Sequence, residues 1–191
     1  MHTRHPRGLT LPAHRLPDLP GRVAIPGQSR GASPLTLFNT APPEIAERTL
    51  LACLHSRTWA RLVAGHRPYP DADALLAAAD EAAYDLGAAD LAEALAAESL
   101  PDLPEDTYSA AHTALNAAQA AYEARFGHAF VICLDEVPAE ERLDRVLADI
   151  RSRLANDPEE ERLVAAEQLR RLARGRLRRC LKGAGDCATS R

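Results

Sequence analysis

Few side chains in this sequence could carry chemistry, and one histidine and one arginine stand out. His128 follows Gly127, a residue type that ends helices by taking a positive φ, and it precedes an apolar run. Because an unperturbed histidine titrates near pH ~6.5, it can act as an acid or a base at neutral pH. Arg153 could hold a carboxylate through two parallel hydrogen bonds. Plainer interpretations stay open: a solvent-facing loop histidine, and a last-turn arginine that faces a helix C-terminus.

The sequence offers no close spacing of metal ligands. Its four cysteines form no CxxC motif, and the acidic pairs near residues 71 and 80 have no histidine or cysteine beside them. We therefore predict no metal site. Cys53 and Cys133 fall in apolar patterns, which suits reduced thiols better than a disulfide framework.

Composition narrows the class of protein. The 191 residues suffice for one domain, and they are 46% hydrophobic but only 4% aromatic. Alanine and leucine supply most of the apolar residues, and both favour helices. The net charge of −4 excludes a chain that binds polyanions over its whole surface. With no apolar run of about 18 residues and no evident secretory signal, we expect no membrane partner and a cytoplasmic location.

The elements that must position these residues are helices. Apolar residues at helical spacing predict an all-α fold, a single bundle of about seven or eight helices over residues 34–182. Thr40, before two prolines, and Asp157 predict helix starts, and Gly87 predicts a helix end. The only strand-like run lies within residues 130–134. It is too solitary to build a sheet, so we expect it to be irregular and buried.

The two ends of the chain differ from this domain. Residues 1–33 are rich in proline and glycine and carry five arginines against one acid, which predicts a disordered basic tail. Such a tail either contacts an anionic partner or is a plain unstructured extension. Residues 183–191 are predicted to form a flexible C-terminal tail.

The stretch Tyr122-Glu123-Ala124-Arg125-Phe126-Gly127, continuing into Phe130-Val131-Ile132-Cys133, resembles a family signature, YExRFGxxFVIC. The family is OHCU decarboxylase, which makes allantoin from 2-oxo-4-hydroxy-4-carboxy-5-ureidoimidazoline. Three further segments resemble it in the same order: the run LTLFNTAPPE from Leu35, Trp59 with Arg67-Pro68-Tyr69, and the RLxND element that starts at Arg153. The resemblance covers residues 35–181.

The resemblance implies a carboxy-lyase of purine catabolism, on the route from urate to allantoin. It implies a helical and commonly dimeric protein, a small-molecule ureide or purine-derived ligand, and no metal or organic cofactor. Decarboxylation needs donors for the developing enolate charge and an acid that protonates the carbanion. By resemblance, the substrate-binding positions are Pro101, Phe130, Val131, Ile132 and Arg153, although the apolar ones could also simply fill the core.

Two positions depart from the family pattern. Leu100 stands where the family has a catalytic histidine, and Ser109 stands where it has a glutamate. A shifted alignment would place Glu98 or Ser99 at the histidine position. Losing one general acid or base costs about 10²–10⁴ in rate, so we predict a degenerate active site. No catalytic residue is assigned; His128, in the family's substrate-contacting window, is a candidate replacement.

Two other functions stay open. One is a non-catalytic ureide-binding or regulatory homologue on the same scaffold. The other is an arginine-rich helical adaptor, because six arginines crowd the last helix. No aromatic residues interleave with them, so we favour a solvated helix end and do not expect nucleic acid as a partner. These arginines are Arg170, Arg171, Arg174, Arg176, Arg178 and Arg179.

Overall fold

A computed structural model describes residues 32–99 and 109–183 of the chain, with side chains from residue 113 onward in the second range. The tails predicted for residues 1–33 and 183–191 therefore lie almost wholly outside the described residues. The domain limits at 34 and 182 stay predictions.

Eight α-helices and one short 3₁₀ turn build the described residues, which contain no strand. The prediction of an all-α bundle of seven or eight helices is confirmed. Within residues 32–99 and 109–183, no helix combines the length and the apolar character needed to cross a bilayer. The helices are α1 Pro34–Thr40, α2 Pro43–Leu51, α3 Arg57–Gly65, α4 Ala72–Tyr84, α5 Ala88–Ala96, α6 Ser109–Phe126, α7 Arg142–Arg153 and α8 Pro158–Leu181, with the 3₁₀ turn at Ala139–Glu141 before α7.

Local capping explains several of these limits. Asp71 accepts a hydrogen bond from the N–H of Ala74 at 2.8 Å and starts α4. Asp157 accepts hydrogen bonds from two N–H groups at 2.9 Å and starts α8, as predicted. Gly127, with φ of 77°, follows the last residue of α6 and turns the chain away from it.

Two predicted limits are wrong. Thr40 does not cap α2; it ends α1, where its hydroxyl donates to the carbonyl of Thr36 at 2.8 Å inside the helix. Gly87 does not end α4, because that helix has already ended at Tyr84. Gly87 instead precedes α5, and its carbonyl accepts the N–H of Leu91 at 3.0 Å. Threonine and glycine can each lie at the start or at the end of a helix. The limits of the adjacent helices place Thr40 at the end of α1 and Gly87 before the start of α5.

The described residues bury two apolar clusters. One gathers helices α1 to α5 and α8 around Trp59, whose indole donates to the carbonyl of Ala79 at 2.8 Å. The other joins α6 and α7 around Tyr122. The irregular segment 129–134 runs between them: Val131 belongs to the first cluster, and Phe130 belongs to the second. The prediction of a buried, irregular run is confirmed for residues 130–132, whereas Cys133 is half-buried.

The cysteines divide into two kinds. Cys53 and Cys133 are free thiols, as predicted, and burial raises the pKa of Cys53 to about 11, an effect that Arg176 and Arg179 partly oppose. Cys180, near the end of α8, is disulfide-bonded. The prediction of reduced thiols is therefore correct for Cys53 and Cys133 and wrong for Cys180.

Candidate functional site

A buried ion pair anchors the segment 129–134. Glu161, in the first turn of α8, is fully buried, and Arg153, at the end of α7, is buried beside it. Arg153 Nε donates to Glu161 Oε1 at 2.9 Å. The hydroxyl of Tyr122 donates to the same oxygen, and Asn156 Nδ2 donates to the other oxygen at 2.9 Å. Four hydrogen bonds, counting a second one from Arg153, thus hold one carboxylate in the interior.

The same guanidinium fixes the irregular segment. Arg153 Nη1 donates to the carbonyl of Val131 at 2.7 Å, and its carbon lies 4.4 Å from the centre of the Phe130 ring. Burial and the Glu161 hydrogen bond raise the pKa of the Tyr122 phenol. Among the described residues, no buried side-chain nitrogen or oxygen lacks a partner. Arg153 is therefore a structural clamp that sets the course of the chain from residue 130 to Cys133.

Beyond Cys133 the chain borders an open cleft of about 900 Å³. Helix α8 forms its floor, and its walls come from α4, α7 and the turn that comes after the buried segment. The lining is rich in arginine, with three acids and a free thiol. It comprises Asp80, Cys133, Asp135, Glu136, Val137, Arg145, Arg170, Arg171, Arg174, Gly175 and Arg178.

Two acids hold the arginines at the α4 side of the cleft. Asp80 binds Arg170 at 3.1 Å with one oxygen and Arg174 with the other. Glu167 binds Arg170 and Arg171, each at 2.7 Å. The hydrogen bond from Arg170, helped by Arg171 and opposed by burial, lowers the pKa of Glu167 to about 2. These arginines are therefore oriented rather than freely solvated.

The lining of the cleft carries more arginines than acids, and four of its five arginines are ion-paired. Five arginines line it against three acids. Arg145 is tied to Asp149 at 3.0 Å, outside the cleft lining. No residue in the described part of the chain forms an ion pair with Arg178. Such a lining favours an anionic ligand with a planar group that guanidinium can grip.

The turn at the cleft wall offers backbone donors. The N–H of Cys133 donates to Gln168 Oε1 on α8 at 2.9 Å, and the N–H of Val137 donates to the carbonyl of Leu134 at 3.1 Å. Between them, the N–H groups of residues 134–136 donate to no described residue. Asp135 and Glu136 line the cleft, so a ligand there would lie near the arginines of α8 and near this turn, a combination that suits a carboxylate and polar carbonyl oxygens.

Comparison with known proteins identifies the family to which this domain belongs. The family model of OHCU decarboxylase matches residues 39–178. The chain belongs to the OHCU decarboxylase family. The crystal structure of an (S)-allantoin synthase matches with a TM-score of 0.61 and 23% identity over 76% of this chain and 53% of that chain. The crystal structure of an OHCU decarboxylase in the presence of (S)-allantoin matches with a TM-score of 0.61 and 19% identity over 71% of this chain and 98% of that chain.

These structural similarities show a shared fold. The chain spans about half the length of the allantoin synthase chain and nearly all of the OHCU decarboxylase chain. No curated protein matches the chain significantly. The resemblance seen in the sequence motifs is thus confirmed at the level of the family.

The structure separates four of the predicted substrate-binding positions from the arginine-lined cleft. Phe130, Val131 and Ile132 are buried in the two cores, and Arg153 is held by Glu161. None of these four side chains is among the residues that line the cleft. Through the clamp they determine where Cys133 and the turn after it lie. Direct contact between these side chains and a substrate stays a prediction.

The predicted catalytic positions lie mostly outside the described residues. Leu100 and Pro101 fall there, and of Ser109 only the backbone is described, as the first residue of α6. His128 is half-buried and lies edge-on to the Tyr122 ring at 5.5 Å, and it is not among the residues that line the cleft. Its role as a replacement acid stays a prediction.

Glu98, the alternative from a shifted alignment, is engaged elsewhere. Its two carboxylate oxygens accept hydrogen bonds from Arg176 at 2.6 and 2.7 Å, and its side chain is 7% exposed. A carboxylate held in this way is poorly placed to transfer protons to a ligand.

Sequence reasoning noted the arginines of α8 but did not assign them to a small-molecule site. Arg170, Arg174 and Arg178 recur at intervals of four residues, which places them along one face of α8. The expectation of a solvated helix end is wrong for Arg170, whose side chain is only 17% exposed. The interval of four residues was the signal that could have identified this arginine face of α8. The sequence could not show that Asp80 orients these side chains, because Asp80 lies 90 residues before Arg170 in the chain.

Proposed function

We propose that this protein binds a carboxylated ureidoimidazoline of purine catabolism in the arginine cleft and acts on it as a weak carboxy-lyase. The observation that carries the proposal is the arginine-rich cleft, built by α8 and by the turn that follows the family's signature segment, within the region that matches OHCU decarboxylase. One of the similar structures was determined in the presence of (S)-allantoin, a ureide of related chemistry.

The geometry supports a division of labour within the cleft. Arginines on α8 hold the carboxylate of the ligand, and the N–H groups of Asp135 and Glu136 donate hydrogen bonds to its ring or ureide carbonyl oxygens. Those donors stabilise the enolate charge that develops as carbon dioxide leaves. An arginine that binds the departing carboxylate stabilises the bound substrate as well as the transition state. Such binding alone therefore raises the rate of decarboxylation only a little.

A second candidate is a ureide-binding homologue without turnover. It is favoured by the lining of the cleft, which contains no histidine among the described residues, and by Leu100 and Ser109 at the family's histidine and glutamate positions. Activity decides between the two candidates. We expect turnover of freshly generated substrate to be at least about a hundredfold below that of a family member with both groups.

Binding is tested with a stable carboxylated ureide, hydantoin-5-acetate, against hydantoin, which lacks the carboxylate. By isothermal titration calorimetry, we expect the wild-type protein to prefer hydantoin-5-acetate. Arg178→Ala should weaken that binding by about tenfold, the lower range for a hydrogen bond to a charged group. Arg151→Ala, which removes an exposed arginine of α7 outside the cleft lining, is the matched control. Equal affinity for the two ligands would reject the proposed ligand class.

Turnover is followed by circular dichroism as optically active allantoin forms. Stereospecific product at any enzyme-dependent rate supports the carboxy-lyase, and binding without product supports the homologue without turnover. A homodimer and a cytoplasmic location, both predicted from the sequence, belong to the same proposal. Sedimentation velocity tests the dimer.

A further inference from the structure

One acid of the cleft lies unusually close to the helix backbone. A Cβ atom added to Gly175 would overlap Asp135 Oδ2 and would lie 3.2 Å from Asp135 Cγ. Any side chain at position 175 would therefore expel this carboxylate from its place. Glycine is disfavoured inside a helix, and Gly175 lies well within the 24 residues of α8. The glycine leaves a recess in the cleft floor, and the Asp135 carboxylate occupies it.

Arg179 completes this recess. Its Nη1 lies 3.2 Å from Asp135 Oδ1 and 3.4 Å from Oδ2, so one guanidinium nitrogen faces both oxygens. We call the surface formed by the Gly175 backbone and the Arg179 guanidinium the Gly175 seat. Gly175 and Asp135 both line the arginine cleft, together with Arg178, which has no ion pair among the described residues. The seat thus presents one guanidinium nitrogen, Arg179 Nη1, to a carboxylate that lies over Gly175.

The Asp135 carboxylate is held only weakly in the Gly175 seat. The side chains of Arg179 and Asp135 are 55% and 43% exposed, so solvent screens their attraction. Asp80, in contrast, is 20% exposed and is shared by two arginines. Of these two acids, Asp135 is the one that an incoming anion can replace at small cost. It also lies on the turn at the cleft wall, where a side chain can swing toward solvent.

We propose that Asp135 is a built-in competitor that occupies the Gly175 seat in the free protein and is displaced by the carboxylate of the ligand. The proposal rests on the proposed function, because it assigns the ligand's carboxylate to a position within the same cleft. It makes Asp135 and Gly175 specificity-determining residues. Ligands without a carboxylate leave Asp135 in place and gain nothing from the seat.

The test measures the affinity for hydantoin-5-acetate of four proteins: wild type, Asp135→Ala, Glu136→Ala and Asp135→Ala combined with Gly175→Ala. Glu136 is the matched control, because it lines the same cleft on the adjacent position and carries the same charge. We expect Asp135→Ala to bind about fivefold more tightly than wild type, the factor that corresponds to a weak exposed ion pair. Glu136→Ala should change the affinity by less than half of this fivefold factor. In the double variant, Gly175→Ala should abolish the gain in affinity that Asp135→Ala gives alone.

The outcomes separate the two proposals. If wild type binds hydantoin-5-acetate and Asp135→Ala binds it no more tightly than Glu136→Ala does, the competitor is rejected and the proposed function stands. If the gain persists with Gly175→Ala, the seat is rejected. If none of the four proteins prefers hydantoin-5-acetate to hydantoin, both proposals are wrong. Far-UV circular dichroism of each variant confirms that the helices remain folded.

Discussion

The buried pair between Arg153 and Glu161 yields the sharpest prediction about stability. Glu161→Gln keeps the volume of the side chain, so it creates no cavity, but it removes the charge that faces the Arg153 guanidinium. The new amide nitrogen would also point at Asn156 Nδ2, which now donates to Glu161 Oε2 at 2.9 Å. Removing one partner of a buried ion pair costs about 3–5 kcal/mol, because the other charge stays buried and unpaired.

That cost is large for a single domain, whose free energy of unfolding is about 5–15 kcal/mol. We expect the melting temperature to fall by roughly 6–20 °C, at about 2–4 °C per kcal/mol for a chain of this size. The assay is urea unfolding at pH 7, followed by far-UV circular dichroism, with the slope against urea compared among variants. Glu159→Gln is the control, because Glu159 pairs with Arg162 at 2.7 Å but is 80% exposed. Its loss should cost less than about 1 kcal/mol.

A double-mutant cycle adds a second readout. Arg153→Met should be destabilising alone, and Arg153→Met with Glu161→Gln should cost less than the sum of the two single changes, because no unpaired charge remains. The clamp is refuted if Glu161→Gln costs no more than Glu159→Gln, or if the two changes at the buried pair simply add.

Three other predictions concern the Glu167 carboxylate, the two free thiols, and the two positions that depart from the family pattern. In the folded protein the pKa of Glu167 is about 2, below its ordinary 4.5. Ionised Glu167 therefore stabilises the fold fully above pH 4.5, and this contribution is lost as the pH falls toward 2. In Glu167→Gln, the urea midpoint should decrease less steeply over this pH range. Iodoacetamide at pH 8 should alkylate the half-buried Cys133 faster than the buried Cys53, whose pKa is about 11, as measured by peptide mass mapping; equal rates would contradict this order. Leu100→His with Ser109→Glu should raise the rate of allantoin formation more than either change alone, and purely additive gains would argue against a shared catalytic role.

Local chemistry along the chain was enough to predict the fold class. Alanine and leucine at helical spacing predict helices wherever the chain lies, and aspartate caps such as Asp71 and Asp157 act on their own helix. Gly127 stops α6 through its own positive φ. The family motifs are also local, which is why the sequence alone identified the family that the comparison confirmed.

The site depended on contacts that no local pattern encodes. In sequence, Arg153 is a last-turn arginine; only the packing of α7 against the start of α8 buries it on Glu161. In the same way, Asp80 on α4 orients Arg170 and Arg174, and Asp135, on the turn after the buried segment, contacts Gly175 on α8. The physical reason is that helix formation depends on residues three or four apart, whereas burial and charge pairing depend on which surfaces meet. The sequence determined the helices and the family, and the tertiary structure decided which arginines support the fold and which face the cleft.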